Sequence, residues 1–148
     1  MTELEEKEIA LAKEYLAYWQ PQLRLDHFDF ELFLMPPGEN NERLANCNFA
    51  PAHHRQKIGL RNPVDRTERD RDILRFDLET SLVHELLHTK EFPWRDHPTV
   101  EKVLDGDKWL KKLHEDSLDA VAEALVRVRR GLIRTLTKVV SPEVDYGG

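Results

Sequence analysis

From Leu78 to about Lys90, leucine and valine recur at helical spacing around His84-Glu85-Leu86-Leu87-His88, and no other segment restricts the fold as much. Leu78, Leu82, Val83, Leu86 and Leu87 make one apolar stripe, and Asp77 stands where an N-cap belongs. On such a helix His84 and His88 lie on one face, about one turn apart, so that two imidazoles can converge on a single zinc ion. Glu85 sits about 100° around the axis, where a carboxylate can take a proton from water and later deliver it to a leaving group. The helix must therefore bury its leucines while keeping its histidine face accessible.

Composition narrows the chemistry. Cys47 is the single cysteine, so no intrachain disulfide forms and any metal must be held by histidines and carboxylates. A chain of 148 residues can bury a core without cross-links. It reads as one domain over residues 1–140 with a tail at 141–148. The net charge of −6 disfavours wholesale binding to nucleic acid. The acidic start is unlike a signal peptide, and no stretch approaches the roughly 18 apolar residues of a membrane span, which predicts a cytoplasmic protein with no membrane partner.

Along the chain, residues 3–19 read as a helix closed by Pro21. Phe28, Phe30, Leu32 and Leu34 alternate as in a half-buried strand. Weaker strand signals cover 44–49 and 56–60, with Gly59 marking a bulge or a close backbone approach. The charged run 65–72 reads as a solvated loop, residues 91–98 as a loop containing Pro93, and 99–104 as a short helix. A long helix follows from about Lys108 to Arg130, with Leu110, Leu113, Val121, Leu125 and Val128 towards the core. Gly131 ends or interrupts it, and Ser141-Pro142 stops it. The fold class is α+β.

A catalytic zinc takes three protein ligands, and the candidates for the third are His97, His114, Glu115, Asp116, Asp119 and Glu123. Glu115 has Asp119 one turn on along the same face, so the first can bind metal while the second accepts an N–H from a ligating histidine. His53-His54 reads as a surface turn, Cys47 as a buried inert thiol, and Trp94 and Trp109 as core. Arg127, Arg129, Arg130 and Arg134 place positive charge near a helix C-terminus or form a face for an acidic partner.

Two segments, Leu82-Val83-His84-Glu85-Leu86-Leu87-His88 and His114-Glu115 through Leu125-Val126, resemble short zincins of the gluzincin kind, closest to small metallopeptidases encoded by phages and prophages. Glu91 and Trp94 stand where a metzincin would carry Gly and His, which excludes that relative. The resemblance implies a zincin-like minimal domain: N-terminal helix, small β-sheet, motif helix and long C-terminal helix. It implies Zn2+ on His84, His88 and Glu115, with Glu85 as the base and Asp119 behind the ligands. It further implies hydrolysis of a peptide or protein substrate lying along an edge strand at Ile58-Gly59-Leu60. The reading from another class is a metal-stabilised interaction module without turnover, acting through the arginine-rich helix face.

Overall fold

Thr2 opens the first helix, α1 (Glu3–Gln22), with a reciprocal cap. Its hydroxyl accepts from the Glu5 N–H at 3.2 Å, and the Glu5 carboxylate accepts from the Thr2 N–H at 2.8 Å. The structure, a computed structural model, describes residues 1–38, 45–50, 55–65, 77–95 and 98–140. α1 runs through Pro21 instead of closing before it. Pro21 falls in the last turn, where the missing N–H removes a single bond. The N–H groups of Leu23, Arg24 and Leu25 still bond back to Trp19, Pro21 and Gln20 at 2.9, 3.0 and 2.8 Å. Arg24, at φ 56°, then turns the chain.

Three strands follow: β1 (Asp29–Leu34), β2 (Ala45–Ala50) and β3 (Arg55–Leu60). Their order is β1-β3-β2, with β3 parallel to β1 and antiparallel to β2. Ile58-Gly59-Leu60 is therefore not an edge. Both its sides are hydrogen-bonded, and the edge expectation is corrected accordingly. Gly59 makes no bulge, because it pairs with Phe33 and with Asn46 in unbroken register. Ile58 and Leu60 are fully buried, as a central strand covered by helix requires.

After a short 3₁₀ turn at Pro63–Asp65, the motif helix α2 spans Leu78–Arg95. Asp77 caps it, its Oδ1 accepting from the Thr80 N–H at 2.9 Å. α2 continues past Lys90 and through Pro93, where a loop was expected. α3 (Pro98–Gly106) starts on Pro98, a residue suited to a first helical position. Asp107 accepts from the N–H groups of Trp109 and Leu110 at 2.9 and 3.2 Å and opens α4 (Lys108–Val140). Gly131 does not interrupt α4.

The core lies where the sheet, α1 and α4 close on α2. Leu82, Val83 and Leu86 are 0% exposed, against Ala12 and Trp19 of α1, Ile58 and Leu60 of β3, and Ala122 and Val126 of α4. Each such large aliphatic side chain contributes about 1.5–3 kcal/mol on burial. α4 is rotated from the expected phase: Leu118, Ala122 and Val126 are buried, whereas Leu113, Val121 and Val128 face outward. A helix with two apolar stripes does not reveal from periodicity which stripe meets the core. At the centre of the packing, Glu79 (1% exposed) accepts from the Trp19 indole N–H at 2.8 Å and from Arg129 at 2.6 Å. Arg130 reaches Asp77 at 2.7 Å. These bonds tie α2 to both α1 and α4. Among the described residues no helix is long and apolar enough to cross a membrane.

Candidate metal centre

α2 and α4 lie side by side, and their facing turns bring together the polar residues the leucine stripes leave over. The rings of His84 and His88 meet edge to face, with centroids 4.9 Å apart and Nε2 atoms 3.1 Å apart. From α4, Glu115 Oε2 lies 3.0 Å from His84 Nε2 and 3.3 Å from His88 Nε2. The three donor atoms form a triangle with sides of 3.0–3.3 Å. Donors about 2.0–2.1 Å from one tetrahedral zinc stand roughly 3.3 Å from each other. Nitrogen and oxygen donors of this kind suit zinc, so the residues fit the ion.

Each histidine has a carboxylate at its far side. Asp119 Oδ1 lies 2.7 Å from His84 Nδ1, a close contact that is off the direction of an aligned hydrogen bond. Glu91 Oε2 lies 3.8 Å from His88 Nδ1 and is fixed by His114 Nε2 at 2.9 Å. Glu91 thus stands on the Nδ1 side of His88, farther from it than Asp119 from His84. It went unseen in the sequence because Pro93 suggested a loop from residue 91. With α2 continuing, the i, i+4, i+7 spacing of His84, His88 and Glu91 puts all three on one face. His88, Glu91 and His114 are also close enough to hold a cation.

The other candidates fall elsewhere. Asp116 pairs with Lys112 at 2.6 Å, and Glu123 is exposed and belongs to neither cluster. His97, His53 and His54 lie outside the described residues, as does the charged run from residue 66 to 72.

Burial dominates the electrostatics of the site. Glu85 is 7% exposed, and that burial pushes its carboxyl above the usual carboxylate range against the lowering pull of His84 and His88. Burial alone would lower the His84 pKa, but the close Asp119 carboxylate, the contact with Glu115 and the charge of Glu85 raise it to about 10. Bonds from His84, then His88, hold Glu115 well below the usual carboxylate range despite its own partial burial. The His84–Glu115 contact contributes to both shifts, alongside Asp119 at His84 and His88 at Glu115.

Two of the four arginines of the expected basic face are held in ion pairs within the domain. Arg129 meets Glu79 and covers the Tyr18 ring at 4.3 Å, and Arg130 meets Asp77, which leaves Arg127 and Arg134 facing solvent. No protein-family model, curated protein or solved structure matches this chain.

Proposed function

We propose that this chain is a zinc-dependent peptide hydrolase of zincin-like architecture. The reading is carried by one observation: His84, His88 and Glu115 converge within 3.3 Å of one another while Glu85 is buried beside them. Zinc held by these three residues supplies the positive charge that polarises water and a peptide carbonyl. Glu85 accepts the proton that the attacking water gives up and passes it to the departing amine. Its burial suits that role, because desolvation raises the affinity of the carboxylate for a proton. Asp119, 2.7 Å behind His84 Nδ1, is placed to orient that imidazole.

The substrate lies extended on the sheet. β3 is enclosed, whereas β2 rests against α2 and pairs with β3 on one side; among the described residues no strand occupies its other edge. Backbone hydrogen bonds to that edge hold a peptide with little dependence on its side chains.

The test is cleavage of an unfolded protein or a fluorogenic peptide mixture by metal-free, zinc-loaded and Glu85→Gln protein. Zinc-loaded wild type cleaves, and Glu85→Gln binds the same metal without cleaving. Wild type that binds zinc tightly and cleaves nothing selects the second reading, a metal-stabilised interaction module acting through the exposed Arg127 and Arg134. The buried Glu85 favours the hydrolase, since a structural site has no need of a carboxylate there.

A further inference from the structure

An imidazole has two ring nitrogens, and the metal centre uses only one of those on His88. Its Nε2 faces His84 and Glu115, whereas its Nδ1 faces Glu91, further along the seam between α2 and α4. Glu91, nearly one turn on along α2, brings Oε2 to 3.8 Å from that nitrogen. From the second turn of α4, His114 Nε2 lies 2.9 Å from the same Oε2, and the His114 and His88 ring centroids are 6.3 Å apart. A ligand atom from each of the three residues lies within 4.8 Å of the other two. The side chains of His88, Glu91 and His114 are 26%, 14% and 15% exposed, sheltered yet reachable from solvent.

The distances suit an ion better than a hydrogen bond from His88. At 3.8 Å the Glu91 carboxylate is too far to accept the Nδ1 proton. Two donors on either side of one ion, each bonded at about 2.0–2.2 Å, can stand up to about 4.2 Å apart. Both the 3.8 Å and the 2.9 Å separations fall inside that span. Charge points the same way. Glu91, Glu115 and Asp119 each bring a carboxylate oxygen within 3.8 Å of a ring nitrogen of His84 or His88. One Zn2+ leaves part of that negative charge over, on the side of Glu91.

We propose that His88 Nδ1, Glu91 and His114 Nε2 hold a second divalent cation, joined to the first through the His88 ring. The Nδ1–H bond breaks as the Nδ1–metal bond forms, and the proton leaves to solvent. The two ions then balance the three carboxylates and the imidazolate. Two nitrogens and one carboxylate oxygen select zinc or a neighbouring transition metal, since calcium and magnesium call for oxygen ligands. The second ion binds more weakly than the first, because it enters against the charge already there. It clamps the last turns of α2 to α4. The inference rests on the zinc reading through His88 alone.

Equilibrium dialysis of the full chain against zinc alone, over roughly 0.01–100 µM and with metal counted by elemental analysis, tests it. The expected result is about two zinc per chain, the second bound about 10-fold or more weakly. His114→Ala and Glu91→Gln each stop at the first zinc and hold it as wild type does, with circular dichroism unchanged. His84→Ala loses the tight zinc and keeps one that depends on His114. His88→Ala loses the second zinc and weakens the first. A wild type that stops at one zinc, indifferent to His114→Ala and Glu91→Gln, overturns the proposal and leaves the first metal centre standing. So does a second zinc that persists in both variants. A single zinc that needs His114 and Glu91 but not His84 supports this site and removes the other. A folded chain that binds no zinc overturns both.

Discussion

Replacing Glu79 by alanine tests whether the junction of α1, α2 and α4 rests on one buried carboxylate. In the structure Glu79 is 1% exposed and accepts from the indole of Trp19, itself 4% exposed, and from Arg129. Alanine leaves the indole N–H buried without an acceptor, which costs about 1–3 kcal/mol. It also leaves a largely buried guanidinium without its counter-charge; breaking such a pair costs about 3–5 kcal/mol. Arg129 keeps its contact with the Tyr18 ring and can shift towards solvent, so the two effects overlap, and the net loss is about 3–5 kcal/mol. For a chain of this size that is roughly 10 °C in Tm. Urea unfolding of metal-free protein, followed by circular dichroism, reads the loss as a fall in midpoint at unchanged slope. The double change Glu79→Leu with Arg129→Met should recover much of it, since a packed apolar pair replaces a buried ionic one at little net cost. A Glu79→Ala variant less than about 1 kcal/mol below wild type would refute the reasoning and assign the junction to hydrophobic packing alone.

Metal binding separates the residues of the site. Purified chain should bind about one zinc tightly, and Glu115→Ala should weaken that binding far more than Glu123→Ala, by competition titration against a chromophoric chelator. Asp119→Ala should cost roughly 10–100-fold in zinc affinity as the carboxylate behind His84 is lost, with the fold unchanged by circular dichroism. Metal-free protein should also report the His84–Glu115 pair through pH. The folded His84 pKa of about 10 lies above its ordinary value near 6.5, so its stabilisation is complete below that value and disappears as pH rises through about 10. The Glu115 pKa is lowered, so the same pair is also lost as pH falls below the ordinary carboxylate range. Urea midpoints in metal-free buffer should fall at both ends for wild type, and less steeply for Glu115→Gln.

Much of this arrangement was legible in the chain. Asp77, the leucine stripe and the paired histidines identify α2 and its two faces, because capping and periodicity act within a few residues of each other. Glu115 with Asp119 was legible for the same reason: four-residue spacing places both on one helix face. What escaped depends on contacts between distant segments. Nothing local says that β3 enters between β1 and β2, or that Glu79 takes its partners from Trp19 and Arg129, 60 residues before and 50 after. Pro93 hid Glu91 because proline usually ends a helix, and here α2 runs on for two more residues. The two apolar stripes of α4 compete on equal terms in the sequence, and only the packing of Leu118, Ala122 and Val126 decides between them.

The β1-β3-β2 order also bears on how the chain matures as it is synthesised. β1 emerges with Phe30, Leu32 and Leu34, yet it does not pair with β2, the next strand to appear; among the described residues its partner is β3. β2 and β3 are antiparallel and separated by four residues, so they form a local hairpin, for which the timescale is about 1–10 μs. At about 5–20 residues per second, the stretch from Leu34 to Leu60 takes one to several seconds to make. Throughout that interval β1 waits as an unpaired apolar strand. Its parallel pairing with β3 closes a loop of 26 residues, Asp29 to Arg55, and only then does the sheet exist for α2 to cover. The nascent chain is thus most exposed to chaperone capture, or to pairing with a neighbour, before the first histidine of the metal centre has been synthesised.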